Sequence, residues 1–227
     1  MTLLDFPGRV ACTVFLGGCN FRCPYCHNSE LLDGQAEPVM DDAALLAFLE
    51  KRKGLLDGVC VTGGEPTLQP GLAPLLRQIR AMGYQIKLDT NGSRPQVLQA
   101  LLEEGLVDYV AMDIKNGPRD YASTVGLQQM DLAPLEQSIR LLTGGSVDYE
   151  FRTTLVAQLH TERSVLEMGQ WLKETAQNVV RRLFLQKFVD RETVMFAGLQ
   201  APNEADMEHF RNILQPFAET VEIRGEH

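Results

Sequence analysis

The 227-residue sequence contains no run of about eighteen apolar residues, so it predicts no membrane-spanning helix. Its first residues, MTLLDFPGRV, include an acid and a proline where a secretory signal would place basic and then apolar residues. Its 21 lysines and arginines are outnumbered by 30 aspartates and glutamates, whereas nucleic-acid binding needs clustered positive charge. These absences predict a cytoplasmic protein that binds neither membranes nor nucleic acids.

Cysteine is scarce, yet three of the five cysteines lie in one ten-residue stretch, CNFRCPYCHN, at 19–28. In a reducing compartment such cysteines are more often ligands or buried thiols than disulfides. The spacing allows covalent haem attachment through C-x-x-C-H, a Cys₃His zinc site, or an iron–sulfur cluster. Haem attachment normally takes place outside the cytoplasm, and the adjacent Cys26 and His27 suit a zinc tetrahedron poorly. Three cysteines can hold three corners of a four-iron cluster, which leaves the fourth iron without a cysteine.

The two remaining cysteines, Cys12 and Cys60, lie inside apolar runs rather than in loops. Free cysteine in such a run commonly behaves as a small buried hydrophobe. We therefore expect both to be structural thiols and neither to reach the fourth iron.

The chain alternates between short β-branched runs and amphipathic segments. The apolar runs predict six strands, at 10–16, 58–62, 84–90, 107–113, 148–155 and 182–188. The segments between them have helical spacing, within 41–54 and at 72–82, 95–104, 131–142 and 162–175. Strands separated by helices indicate right-handed parallel crossovers. Six such units predict an α/β fold, a partial (β/α)6 barrel in a single domain.

The core of this barrel is expected to span residues 3–190. The tail, 191–227, is expected to cover an edge of the barrel, with a helix at 203–216 and a strand at 221–224.

Polar motifs lie at the carboxyl ends of the predicted strands. The cysteine stretch follows the first strand, and TGGEPT, DTNG and DIKN follow the next three. The fifth and sixth strands end in further polar residues, namely Arg152, Thr153, Thr154, Gln186 and Lys187. Because the carboxyl ends of parallel strands form the rim where α/β proteins bind ligands, these motifs predict one common site.

The combination of CNFRCPYC, a C-x3-C-x2-C loop, with GGEP after the next strand resembles the radical S-adenosylmethionine (SAM) superfamily. More narrowly, LLDFPG, CPYCHN, TGGEPTLQ, LDTNG and MDIK resemble the glycyl-radical-enzyme activating family, in particular the activating proteins of anaerobic ribonucleoside-triphosphate reductase. The resemblance covers roughly residues 3–190. The chain departs from the larger activating proteins, because it has too few cysteines for a second cluster, and it reads LFLQKF where some members carry a histidine.

The resemblance implies that Cys19, Cys23 and Cys26 bind a 4Fe-4S cluster whose open iron is chelated by the amino and carboxylate groups of SAM. One electron, supplied by a flavodoxin- or ferredoxin-type donor, would cleave SAM into methionine and a 5′-deoxyadenosyl radical. That radical would take a hydrogen atom from a glycine of a partner glycyl radical enzyme, with anaerobic ribonucleotide reductase as the expected partner. The alternatives are a radical SAM enzyme for a small molecule and a non-catalytic iron–sulfur or zinc protein.

The resemblance also implies roles for the other motifs. Gly63 and Gly64 would let the backbone approach the methionine moiety, and Glu65 would offer its carboxylate to the ammonium group. A strand-to-helix turn with an acid at the helix start is the alternative for GGEP. Further residues expected to bind SAM are Tyr25 and His27 beside the adenine, Asp113 and Lys115 at the ribose and carboxylate, and Arg152 at the methionine carboxylate, with Gln186 as an additional candidate.

Two further expectations concern DTNG and the N-terminus. Asp89 and Thr90, with Asp113, are predicted to hold a monovalent cation, and local capping of the backbone by Asp89 and Asn91 is the alternative. Asp5, in DFPG, is expected to help dock the partner enzyme. The alternative is that Pro7 and Gly8 only turn the chain into the first strand.

Overall fold

A seven-stranded, all-parallel sheet forms the centre of the molecule in the computed structural model, which describes residues 2–225. Its strands follow one another in sequence order: β1 (Ala11–Leu16), β2 (Gly58–Gly63), β3 (Gln85–Thr90), β4 (Tyr109–Asp113), β5 (Asp148–Leu155), β6 (Val180–Lys187) and β7 (Ala218–Arg224). Among the strands of the described part, β1 pairs only with β2 and β7 only with β6, so the sheet stays open.

Within residues 2–225 the α-helices are α1 (Asp42–Glu50), α2 (Leu72–Ala81), α3 (Pro95–Glu103), α4 (Tyr121–Thr124), α5 (Ala133–Gly144), α6 (Glu162–Ala176) and α7 (Glu204–Leu214). Right-handed crossovers between strands whose order never reverses place the helices on one face of the sheet. Contacts of α1 with α2, α3 with α5, α5 with α6 and α6 with α7 agree with such an outer layer. No helix in this range is both long and apolar enough to cross a membrane. The α/β partial-barrel prediction is confirmed.

Helix α2 illustrates how the sequence pattern builds this outer layer. Its leucine and isoleucine residues recur at helical spacing, and all four are buried, namely Leu72, Leu75, Leu76 and Ile79. Burying each such side chain contributes about 1.5–3 kcal/mol, which outweighs the modest helix propensity of a ten-residue segment. Gly83, with φ of 93°, ends the segment in a conformation that favours glycine.

The tail adds more to the sheet than the sequence predicts. Residues 218–224 form β7, a full parallel strand along β6, whereas the sequence predicts a strand only at 221–224. The first half of β7 contains the exposed Glu219 and Thr220, which give no apolar run. The tail therefore covers the edge of β6 by extending the sheet.

The N-terminal segment lies at the amino-terminal end of the strands. Phe6 is buried against Tyr109, with 6.1 Å between the ring centroids, beside the first residue of β2. Gly8 has φ of 71°, and the amide of Arg9 donates to the carbonyl of Phe6 at 3.1 Å. Pro7 and Gly8 therefore form a turn into β1.

Asp5 faces the body of the protein rather than the carboxyl-terminal rim. Its carboxylate accepts a hydrogen bond from the hydroxyl of Thr13, in β1, at 2.6 Å. This arrangement supports the turn alternative for DFPG and does not support a docking role for Asp5, because the predicted site lies at the other end of the strands.

Candidate active site

A cavity of about 230 Å³ lies at the carboxyl-terminal rim of the sheet. It is lined from the loop after β1 and from the ends of the next five strands, by Cys19, Phe21, Cys23, Tyr25, Cys26, His27, Asn28, Leu32, Thr62, Gly63, Gly64, Asp89, Thr90, Asn91, Asp113, Lys115, Arg152, Thr154 and Gln186. The structure thus brings the polar motifs together at one cavity, and their roles in binding stay predictions. Of the residues predicted to bind the cluster or SAM, Glu65 is the one that does not line this cavity, and the strand-end residues Thr153 and Lys187 do not line it either.

The cysteine loop is held in place by its backbone. The amide of Cys19 donates to the carbonyl of Leu32 at 3.0 Å, and the amide of Arg22 donates to the carbonyl of Val125 at 2.8 Å. Gly126 is required for this approach, since a Cβ atom there would overlap the carbonyl of Arg22. The loop is thus fixed both to its own continuation and to the segment after α4.

Asn28 links the cysteine loop to the GGEP turn. Its Nδ2 atom donates to the carbonyl of Gly63 at 3.0 Å, and its side chain lines the cavity. The sequence predicts no role for Asn28, although this residue directly follows the cysteine motif. Its position next to CPYCH is the only sequence signal for this contact.

The three clustered thiols are free and line the cavity. Burial raises the pKa of Cys23 to about 11, against an opposing effect of Lys115, and burial also raises the pKa of Cys19. The thiols of Cys19 and Cys23 are therefore protonated until a metal binds, because coordination deprotonates a thiol. Within residues 2–225, no three His, Cys, Asp or Glu side chains converge on a single ion.

Tyr25 provides an independent sign that the cavity accommodates a ligand. Tyr25 is buried and belongs to the cavity lining, and among the described residues its hydroxyl has no hydrogen-bond partner. An unsatisfied buried hydroxyl costs about 1–3 kcal/mol, so a bound molecule is expected to supply the partner. Three free thiols and an unpartnered hydroxyl in one polar cavity fit an iron–sulfur cluster with an organic ligand beside it.

The two glycines of GGEP allow β2 to end against β1. Gly63 has φ of 116°, and a Cβ atom on it would overlap the backbone of Leu16. A Cβ atom on Gly64 would overlap the carbonyl of Gly18 in the same way. The amide of Gly64 donates to Leu16 at 2.8 Å, so backbone packing already requires both glycines. Their expected approach to the methionine moiety of SAM stays a prediction.

Glu65 is fully buried away from the cavity and is surrounded by donors. Its Oε1 atom accepts hydrogen bonds from the amide of Thr67, at 3.0 Å, and from the hydroxyls of Thr67 and Thr90. Its Oε2 atom accepts from the amide of Asn91 at 2.6 Å. Burial raises the pKa of Glu65, and these hydrogen bonds oppose the increase.

The expected contact between Glu65 and the ammonium group of SAM is therefore not supported. The carboxylate instead joins the GGEP turn to the DTNG turn and caps the short 3-10 helix Pro66–Leu68. The alternative interpretation of GGEP, a turn with an acid at the helix start, fits the structure. Asn91 caps the local backbone, as the alternative for DTNG predicts, since its Oδ1 atom accepts a hydrogen bond from the amide of Ser93 at 2.9 Å.

Five charged side chains form an alternating series across the inner face of β3, β4 and β5. Lys87 and Arg152 both bind Asp89, the latter at 3.0 Å. Arg152 also binds Asp113 at 3.0 Å, and Lys115 binds the second oxygen of Asp113 at 3.0 Å. The register explains this contact, because Asp113 lies directly opposite Arg152. Three cations face two carboxylates, so the series carries one net positive charge.

This series already neutralises the carboxylates that were expected to bind a monovalent cation. Both oxygens of Asp89 and of Asp113 face Lys or Arg nitrogen atoms, and the hydroxyl of Thr90 donates to Glu65. A cation would have to displace these ammonium and guanidinium groups. The arrangement does not favour the predicted cation site.

We expect the stability contribution of Asp113 to disappear in acid. Burial alone would raise the pKa of this carboxyl, but Arg152 and Lys115 outweigh burial and lower the pKa from 3.8 to about 2. The charged form therefore stabilises the fold fully above about pH 4, and this contribution is lost as the pH falls towards 2. Urea unfolding of cofactor-free Asp113→Asn should show a deficit against the parent at pH 7 that narrows below about pH 4. A deficit that stays constant down to about pH 2.5 would contradict this assignment.

His27 and Gln186 lie at the cavity wall, as predicted. The His27 ring stacks on Phe188, with 5.8 Å between the centroids, and its Nε2 atom lies 2.6 Å from the carbonyl of Val189. Gln186 accepts a hydrogen bond from the hydroxyl of Thr154 at 3.3 Å. These contacts fix the loop after β6 against the cysteine loop and leave the role of His27 at the adenine a prediction.

Cys12 and Cys60 are buried in β1 and β2, and neither lines the cavity. Cys12 belongs to the core beneath the helices. The thiol of Cys60 faces the opposite side of the sheet, 3.8 Å from the Nζ atom of the buried Lys87. Burial raises the pKa of Cys60 to about 12. Both positions agree with the prediction of structural thiols.

Comparison with known sequences identifies the family. The radical SAM superfamily model matches residues 13–172, which is most of the chain. A Methanocaldococcus jannaschii protein, provisionally named a glycyl-radical enzyme activating enzyme, is 27% identical over 99% of this chain and 92% of its own length. The pyruvate formate-lyase-activating enzyme of Clostridium pasteurianum is 33% identical over 51% of this chain and 50% of its own. The 7-carboxy-7-deazaguanine synthase of Koribacter versatilis is 28% identical over 71% and 68%.

Solved structures share the fold. SuiB of Streptococcus suis, in a crystal structure with bound S-adenosylmethionine, matches with a TM-score of 0.74 at 11% identity, covering 98% of this chain and 52% of SuiB. A domain of the pyruvate-formate lyase-activating enzyme of Bacteroides vulgatus matches with a TM-score of 0.59 at 18% identity, over 74% of this chain and 99% of that domain. The chain therefore spans about half the length of SuiB and nearly all of the Bacteroides domain. Together with the family match, these findings show that the chain belongs to the radical SAM superfamily, whose cofactors are a 4Fe-4S cluster and SAM, and that it is a radical SAM enzyme.

Proposed function

We propose that this enzyme cleaves SAM reductively and generates a glycyl radical on a partner enzyme. The observation that carries the proposal is the similarity to the Methanocaldococcus protein over almost the full length of both chains. The partial similarity to a pyruvate formate-lyase-activating enzyme supports the same substrate class. By our proposal, the partner is an anaerobic ribonucleotide reductase and the electron donor is of the flavodoxin or ferredoxin type.

In this proposal Cys19, Cys23 and Cys26 hold the cluster, since all three are free thiols at the wall of the same cavity. When bound, the cluster and SAM together supply the one-electron cleavage that yields methionine and a radical able to take a hydrogen atom from glycine. Cys23 and Tyr25 are buried, so this part of the cavity excludes water from that chemistry. The unpartnered hydroxyl of Tyr25 is available to a polar group of SAM.

Free donors at the cavity suit the carboxylate of the methionine moiety. Of the three cations in the charged series, Arg152 and Lys115 line the cavity, whereas Lys87 does not. Arg152 donates from Nε to Asp113 and from Nη1 to Asp89, which leaves Nη2 for a ligand, and Lys115 uses one of its three donors on Asp113. We assign Arg152 and Lys115 to the methionine carboxylate and Asp113 to the ribose side of SAM.

The decisive test is electron paramagnetic resonance on a reconstituted mixture. Anaerobically reconstituted protein, a reductant, SAM and an anaerobic ribonucleotide reductase from the same organism should yield the doublet of a glycyl radical. Omitting SAM should abolish the signal. Cleavage of SAM without a signal on any glycyl radical enzyme of the organism would refute the proposal.

The second candidate function is catalysis on a small molecule. It is favoured by the similarity to 7-carboxy-7-deazaguanine synthases, which extends over 71% of this chain in one relative. The same reconstituted protein should then consume a small metabolite, such as a deazapurine precursor, in the absence of any protein partner. Turnover of such a compound together with an absent glycyl signal would establish this second function.

A further inference from the structure

The outer edge of β1 carries main-chain groups that nothing in the described part of the chain satisfies. Ala11 exchanges two backbone hydrogen bonds with Thr2, at 2.8 and 3.0 Å, on the side away from β2. Backbone groups alternate in direction along a strand, so Thr13 and Phe15 also point their amides and carbonyls outward. These four groups have no hydrogen-bond partner within residues 2–225. The carbonyl of Leu16, one residue further, faces β2 and accepts the amide of Gly64.

A groove runs along this free edge, and its lining is mainly apolar with three acidic side chains in the 36–45 segment. It is bounded by β1 and the segment at 36–45 and includes Phe15, Val39 and Met40. These three side chains are 55%, 101% and 47% exposed. Edge strands are usually protected by charged residues, and β7, at the other edge, exposes Glu219 and Glu222. The β1 sequence, ACTVFL, contains no charge.

The groove leads towards the cavity. Gly17, two residues before Cys19, lines the groove. Phe15 is in register with Thr62, which lines the cavity, so its side chain lies on the inner face of the sheet beside the site. A segment lying along β1 therefore continues directly to the place where the radical is generated.

We propose that the free edge of β1 binds an extended segment of the substrate protein as an added strand and directs its glycine into the cavity. This inference rests on the proposed glycyl-radical function. Thr2 already pairs with the edge at Ala11, so only the backbone groups of Thr13 and Phe15 are available to hydrogen-bond an added strand. Four bonds beside an apolar wall suit a short peptide with apolar side chains. A specific, stable protein–protein interface buries at least about 1,200 Å², and an obligate homodimer about 2,000 Å² or more, which is far more than two edge residues provide.

The amide of Phe15 gives a specific test. Proline at an outward-facing edge position removes one amide donor without breaking a bond to β2. We expect Phe15→Pro to bind the partner enzyme about three- to tenfold more weakly than Phe15→Ala, the variant that loses the ring but keeps the amide. Cluster content and dithionite-driven SAM cleavage should be the same in both variants. Equal partner affinity in both would overturn the inference.

A second variant leaves the β1 backbone untouched. Val39→Asp places a charge on the far wall of the groove and should raise the KM for the partner in glycyl-radical formation at least about tenfold, with SAM cleavage unchanged. Leu166→Asp is the matched control, since Leu166 is 40% exposed on α6, outside the groove. Equal KM values for both aspartate variants would overturn the inference. The inference would also be overturned if light scattering showed that the parent forms a homodimer and that Val39→Asp dissociates this dimer without changing the KM.

These outcomes are separate from failure of the proposed function. If the parent protein forms no glycyl radical on any partner, the function itself is refuted. If the parent forms the radical and the groove variants match their controls, only the role of β1 is refuted.

Discussion

Alanine at Cys19, Cys23 or Cys26 is expected to remove the iron–sulfur cluster and abolish SAM cleavage. The three free thiols lie on one loop and line one cavity, and each would hold one corner of a four-iron cluster. Loss of a corner leaves an iron exposed to water in addition to the iron reserved for SAM. Reconstituted parent protein should contain about four irons per chain. Each of these variants should retain little iron, measured by iron analysis and by the visible absorption of the cluster.

Cys12→Ala and Cys60→Ala are the matched controls for this experiment. Both residues are buried in strands and neither reaches the cavity. Each substitution removes one buried sulfur, so it should lower stability by about 1–2 kcal/mol while iron content stays unchanged. Loss of the cluster in Cys12→Ala or Cys60→Ala would mean that a fourth thiolate binds iron, which would leave no open iron for SAM.

The sequence predicts the site well where a residue type in a given pattern has few alternative roles. A loop with three cysteines between a strand and a helix has few purposes other than metal binding, and the structure brings all three to the cavity. The strand-end motifs converge because the carboxyl ends of parallel strands share one rim. Position along the chain is enough for this prediction, since strand order fixes which ends meet.

The buried charges on the inner face were harder to predict. Lys87 is 2% exposed and binds Asp89, but the pattern of its segment, QIKLDT, predicts only a strand that ends in a polar turn. Lys87 and Asp89 lie two residues apart and so point to the same face, as Glu150 and Arg152 do on β5. That spacing is visible in the sequence. The partner of each charge is not, because it depends on the register between strands.

Glu65 shows why a motif does not fix the role of each side chain. GGEP predicts an acid near the ligand, and the backbone of Gly63 and Gly64 does line the cavity. The side chain of Glu65 turns away, because the amides of Thr67 and Asn91 need an acceptor where two turns meet. Only the position of the DTNG turn, set by the pairing of β2 with β3, determines that outcome.

Glu65→Ala is expected to destabilise the fold by about 2–6 kcal/mol, because it leaves the buried amides of Thr67 and Asn91 without an acceptor, each at about 1–3 kcal/mol. This is a large share of the 5–15 kcal/mol by which a typical domain is stable. Glu65→Gln should cost less, about 1–3 kcal/mol, since the amide oxygen can keep the Oε1 contacts while its NH₂ group faces the amide of Asn91. Urea unfolding of the cofactor-free protein measures both values.

The exposed Glu103, on α3, provides the matched control, and Glu103→Ala should change the free energy of unfolding by no more than about 0.5 kcal/mol. The affinity for SAM then separates the structural role of Glu65 from the role that the motif suggests. A carboxylate that contacts the ammonium group of SAM would contribute roughly ten- to hundredfold in affinity. If Glu65→Ala unfolds at the same urea concentration as the parent but binds SAM that much more weakly, the carboxylate faces the ligand. If the variant is strongly destabilised, and its remaining folded fraction binds SAM with nearly parental affinity, Glu65 holds the two turns together and the backbone of GGEP alone faces the ligand.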